Sequence, residues 1–154
     1  MNSPQEIKDI ATSRIEEAKI LCDNKKYDGA FYLAGYSVEL SFKAIICEKL
    51  GIPNLFDTED MSTNNTNAVS EIRKVFKTHN LYYLLMIGGF KIQFDTEKAE
   101  NKAFFDVSSL LFNHWNETCR YKPCGYMKDK EEDVEKLIEL LRADNGLLQW
   151  IEKN

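Results

Sequence analysis

A chain of 154 residues has room for one domain with a sizeable core. Its formal net charge of −5 excludes a general nucleic-acid coat protein, which needs a surplus of Lys and Arg facing phosphate, but leaves room for a local basic patch. Four cysteines without C-x-x-C spacing, with only His79 and His114 to join them, argue against a zinc site and read as reduced thiols of a cytoplasmic protein.

Ser3-Pro4-Gln5-Glu6 has the form of a capping box, so a first helix starts near Pro4. Ile7, Ile10, Ala11, Arg14, Ile15, Ala18, Leu21 and Cys22 keep the three-four spacing of one face, and Asn24-Lys25-Lys26 ends the element. Asp28 is the expected cap of a second helix running from Tyr27 to Leu50, with Gly51 and Pro53 as its stop signals. At about 100° per residue, Ala30, Ala34, Ser37, Ser41 and Ala44 form a small stripe suited to close approach of a neighbouring helix. Tyr32, Tyr36, Glu39 and Lys43 lie nearly opposite. Most of the remaining circumference is apolar, which makes this the central helix of an all-α domain, antiparallel to the first. Because Glu39 and Lys43 sit at its centre, a membrane span is not expected, and the N-terminus has no apolar segment suited to export. The ion pair is either a structural bridge at the domain edge or part of a polar cleft.

The composition then turns to Asp, Thr, Ser and Asn, which predicts a mobile loop over about 57–69 within a single domain spanning 1–154. A short helix follows over Ser70–Phe76, then Thr78 as a fresh N-cap for two turns that end at Gly88-Gly89. Phe90-Lys91-Ile92-Gln93-Phe94 alternates like a strand but has no partner, so it reads as an extended connector. Asp95 or Thr96 is expected to cap a helix whose apolar face holds Ala99, Ala103, Phe104, Val107, Leu110 and Leu111 and closes on His114, an ordinary core or edge histidine. Pro123 and Gly125 break the run after Trp115, and a second capping box at Asp129–Glu132 opens a last helix with Val134, Leu137, Ile138 and Leu141 inside. A bend at Asp144-Asn145-Gly146 would return Leu147, Leu148, Trp150 and Ile151 to the core. There is no Gly-rich phosphate loop, nucleophile elbow or metal-binding helix motif, so no cofactor or metal is expected and no catalytic residue can be named from spacing.

Four stretches in order carry a family resemblance: Ala18-Lys19-Ile20-Leu21; Tyr27 through Tyr36 with Val38-Glu39 and Lys43-Ala44; Thr78-His79-Asn80-Leu81; and Arg120-Tyr121. Together they make the chain resemble a HEPN domain (higher eukaryotes and prokaryotes nucleotide-binding). The resemblance implies an antiparallel bundle of four to five helices, frequent dimerisation, and genes that often lie beside those of nucleotidyltransferases, in toxin–antitoxin or defence systems. Many HEPN proteins are metal-independent ribonucleases with an arginine followed, after four to six residues, by a histidine. Arg120 matches the arginine, but the eligible positions hold Gly125, Tyr126 and Met127. Tyr126 is a poor substitute, since a phenol with an ordinary pKa near 10 carries a proton at neutral pH. The expectation is therefore a non-catalytic HEPN-like homodimer that binds nucleotide or RNA phosphate in a cleft formed by Tyr36, Glu39, Lys43, Arg120 and Tyr121. Two alternatives stand beside it: an endoribonuclease in which His79 or His114 reaches Arg120, and a helical partner of a nucleotidyltransferase in which Arg120 only bridges Glu39 or Glu117.

Overall fold

Residues 3–57 and 66–154 are described by a computed structural model. Among them the chain is all-α, with no strand. The helices are α1 Pro4–Asp23, α2 Tyr27–Leu50, α3 Thr66–Phe76, α4 Leu81–Ile87, α5 Lys91–Glu100, α6 Lys102–His114, α7 Glu131–Arg142 and α8 Leu147–Lys153, with 3₁₀ turns at Glu117–Tyr121 and Lys128–Lys130. The expected bundle is present, its later part divided into shorter helices. Most of the loop expected over 57–69 falls outside the described residues; residues 66–69 form the first turn of α3.

Packing starts from α2. It touches α1, α4, α7, α8 and the first 3₁₀ turn, and it is buried along most of its length because it has few polar side chains to present to water. The small stripe lets α1 lie close: Ala30, Ala34, Ser37 and Ala44 are fully buried, as is Ala18 opposite. Lys8 pairs with Glu48 at one end of the two helices, and Leu21 rests on Gly29 at the other, which fixes the hairpin as antiparallel. By length and composition α2 could cross a membrane, but 83% of its most apolar window is covered by the other helices. Beyond it, Phe42, Phe90, Phe94, Phe104 and Trp150 meet edge to face or tilted, the arrangement that aromatic quadrupoles favour.

Ser3 and Glu6 do form the capping box, each side chain bonding the other's backbone N–H. Other boundaries differ from expectation. Phe90 to Phe94 is not an extended connector; it enters α5, because Phe90 and Phe94 lie one helical turn apart and both bury fully. Asp95 and Thr96 therefore lie inside α5, where Asp95 pairs with Lys91 and Thr96 donates to the Ile92 carbonyl. The cap of α6 is Asn101, whose side chain accepts from the Phe104 N–H, and Ala99 and Ala103 are not in the core. Asn80, not Thr78, caps α4; Thr78 accepts from the Asn80 N–H just outside it. No side chain caps α7, since Asp129 lies in the preceding 3₁₀ turn, although the acidic first turn Glu131-Glu132-Asp133 is in place. Cys22, Cys47 and Cys119 are buried free thiols and Cys124 is an exposed one.

Candidate functional site

Asp28 does not cap α2. Lys26 is the N-cap residue, without a side-chain bond, and both Asp28 oxygens reach across the bundle: one accepts the Gly125 N–H at 2.6 Å, the other the Met127 N–H at 3.0 Å. Two charge-assisted bonds from a carboxylate to backbone hold the irregular segment after Tyr121 against the start of α2. Met127 is buried beside them, so the turn is anchored by both polar and apolar contacts. Nothing in the sequence signals this, because Asp at a helix start reads first as a cap.

A second tie comes from Trp115. Its ring stacks on Tyr32 at 6.2 Å between centroids, its Nε1–H donates to the Tyr32 carbonyl at 3.0 Å, and it covers Gly35 so closely that a Cβ there would lie 2.2 Å from Nε1. Gly35 is therefore required by the close approach of an indole. The 3₁₀ turn starting two residues later presents Arg120 and Tyr121 beside α2. Arg120 is exposed, its guanidinium lies 5.0 Å from the centre of the Tyr121 ring, and it makes no ion pair among the described residues. The hydroxyls of Tyr121 and then Tyr32 stand beside it and push its pKa further up. The expected bridge from Arg120 to Glu39 or Glu117 does not form.

Glu39 and Lys43 are engaged elsewhere. They form a buried ion pair at 2.6 Å, and both Glu39 oxygens are 3.0 Å from Nδ1 of His79. A carboxylate can only accept, so Nδ1 carries the proton of that bond and Nε2 is left to face outward. Nε2 lies 3.7 Å from a Glu117 oxygen, at the edge of a surface hollow of about 420 Å³ lined by Thr78, Phe112, Trp115 and Asn116. Lys43 also lies 5.5 Å from the Phe56 ring. The five residues expected to share one cleft thus divide: Arg120 and Tyr121 stand exposed next to Tyr32, while Glu39 and Lys43 neutralise one another farther along α2. Tyr36 lies between, half-buried and stacked on Tyr32 at 6.5 Å; burial first, then the Glu39 and Tyr32 charges, push its phenol up. His79 stands in the sequence in the T-H-x-L fragment and as a candidate to reach Arg120, but its bond to Glu39 could not be read from spacing across 40 residues. His114 is exposed at the end of α6 and joins none of these groups.

Tyr126, at a position where the ribonuclease motif would place histidine, has its hydroxyl buried without a hydrogen-bond partner among the described residues. Burial, then the neighbouring Cys119 thiol, pushes its pKa well above the ordinary phenol value. The phenol therefore holds its proton near neutral pH and is a poor stand-in for the motif's histidine.

An all-α bundle wrapped round one apolar helix, with an arginine and aromatic rings exposed along that helix, is the class the fold defines. Comparison with family models places it further: the HEPN domain matches residues 4–65, the α1–α2 hairpin and the chain leaving it. Over those residues, less than half of its length, the chain is similar to a HEPN domain. Comparisons with curated proteins and with solved structures gave no match.

Proposed function

We propose that this HEPN-like protein binds the phosphate of a nucleotide or of RNA at Arg120, with Tyr121 offering its ring to a base. The observation that carries the reading is the state of Arg120: an exposed guanidinium without an acidic partner among the described residues, over a tyrosine ring that is itself 75% exposed. Arginine's planar fork of donors suits phosphate, and stacking on an exposed aromatic is tolerant of base identity. Tyr32 and Tyr36 extend the aromatic surface. Glu39 and Lys43 support α2 rather than contact the ligand. The test is a titration of a fluorescent oligouridylate: wild type binds, and Arg120→Ala weakens binding by at least about tenfold, the scale of one charged hydrogen bond in water-accessible surroundings. Equal binding by the two proteins contradicts the reading.

One observation favours a second reading, the metal-independent endoribonuclease. A buried carboxylate orienting Nδ1 of a histidine whose Nε2 faces a hollow is the arrangement of a general base. Glu117 stands against it, since its carboxylate would repel a phosphate brought to Nε2. With mixed RNA and no metal, the expected result is no cleavage that Arg120→Ala abolishes. Reproducible cutting lost in both Arg120→Ala and His79→Ala would make the enzyme reading the better one.

The same reading takes the protein to be a cytoplasmic homodimer meeting near the Arg120 turn, where exposed tyrosine and arginine are the residue types enriched at interface centres. Trp115 contributes nothing to that surface, being buried in the monomer. Sedimentation should show a dimer that Tyr121→Glu dissociates without unfolding; a monomer across micromolar concentrations overturns it. A nucleotidyltransferase partner would dock on the same end of the bundle.

A further inference from the structure

Eight of the twenty Lys and Arg side chains of this acidic chain hold a carboxylate among the described residues: Lys8, Arg14, Lys19, Lys43, Lys74, Lys91, Lys102 and Arg142. Lys25, Lys26 and Lys128 do not, among the described residues, and all three are exposed and line one hollow of about 470 Å³ between the α1–α2 turn and the segment that follows Tyr121. Three like charges facing one concavity repel one another unless an anion lies between them. Two acids also line it. Asp28 keeps its charge while both of its oxygens accept backbone N–H groups, and with Glu131 it sets two carboxylates against three ammonium groups, which leaves the lining with a net positive charge. Gly125 at the wall has open space where a Cβ would stand and admits close approach to backbone, and the first turn of α2 lacks a side-chain cap, so its partial positive charge adds to the lysines'.

We infer that this hollow is a second phosphate site, formed by Lys25, Lys26 and Lys128 and built into the same segment as Arg120. The inference rests on the reading of Arg120 given above and deepens it: the ligand reaches two places on one anchored stretch of chain, Arg120 and Tyr121 at its start and Lys128 at its end. Asp28 is the positioning residue, because its bonds to Gly125 and Met127 hold that stretch over the α1–α2 turn and so bring Lys128 to the other two lysines. Such a spacing suits successive phosphates of a polynucleotide; the triphosphate of a single nucleotide offers the same chemistry in one place.

The test compares four proteins: wild type; Lys25→Gln/Lys26→Gln/Lys128→Gln; Arg120→Ala; and Lys74→Gln/Lys102→Gln/Lys153→Gln, which removes the same formal charge far from the hollow. Each is titrated with a fluorescent oligouridylate of about a dozen nucleotides and with ATP, over a range of salt. The hollow variant is expected to bind oligouridylate at least about tenfold more weakly, with the slope of log K against log salt reduced by about 0.7 for each phosphate that the lysines no longer neutralise, while the remote variant matches wild type. Weakening with oligouridylate alone assigns the phosphates to a polynucleotide; weakening with ATP as well assigns them to a nucleotide, and either supports the site. Hollow and remote variants that behave alike overturn it, even where Arg120→Ala still abolishes binding. The reverse result, with Arg120→Ala unaffected and the hollow variant weakened, overturns the reading of Arg120 and leaves the lysine site standing. Wild type that binds neither probe overturns both.

Discussion

Gly35→Ala destabilises the fold by roughly 2–4 kcal/mol, a large loss for the addition of one methyl group. An alanine in the middle of a helix normally stabilises it by about 1 kcal/mol relative to glycine. Here the new Cβ would fall 2.2 Å from Nε1 of Trp115, and neither side can yield: α2 is packed along its length, and the indole is held by its stack on Tyr32 and its bond to the Tyr32 carbonyl. The ring must leave, with a cost near that of deleting a buried tryptophan, about 3–5 kcal/mol, less what the helix gains. Gly29→Ala is the control. Its Cβ would meet only the end of the Leu21 side chain at 3.1 Å, which can rotate away, so its effect is expected to stay within about 1 kcal/mol. Urea unfolding of both variants checks the difference, and a Gly35→Ala protein as stable as wild type would show that Trp115 does not seat on α2.

The second large effect is expected at the buried ion pair, and it is asymmetric. Glu39→Leu leaves the Lys43 ammonium buried without a carboxylate and strips His79 of its acceptor; removing one partner of a buried pair costs about 3–5 kcal/mol. Lys43→Met leaves Glu39 still accepting from His79, and the flexible thioether can occupy the space under Phe56, so about 1–3 kcal/mol is expected. In the double variant no charge is stranded, and it should be less destabilised than the two single losses added together. Denaturant midpoints for the three proteins decide the matter. Equal losses for the two single variants would mean that His79 contributes nothing to holding Glu39.

Gly35 and the Glu39–Lys43 pair also mark where the sequence was legible and where it was not. The stripe of small residues on α2 has a local cause, a period of 3.6 along one helix, and local causes can be read: the buried alanines, the first capping box and the four buried positions of α7 stand as expected. Gly35 sits in the same helix, yet nothing near it in sequence announces Trp115, 80 residues on. Asp28 misled for a related reason. An acid at a helix start satisfies a local rule, and its bonds to Gly125 and Met127 obey a tertiary one that overrode it. Phe90 and Phe94 fit both a period of 2 and a helical turn, and the aromatic core that receives both rings chose the helix. At the site, the structure separates residues that helical spacing had grouped. Glu39 and Lys43 share a face with Tyr32 and Tyr36, but the buried ion pair removes them from the surface that Arg120 and Tyr121 present.

The claim that Arg120 and Tyr121 form the contact with nucleic acid is tested most directly by photocrosslinking. Wild-type protein bound to an oligouridylate is irradiated with ultraviolet light, digested, and its nucleotide-bearing peptides sequenced by mass spectrometry. Adducts are expected on the peptide containing Tyr121, with loss of those adducts in Arg120→Ala. Adducts confined to Tyr82 and Tyr83 on α4, with none near Tyr121, would contradict the claim.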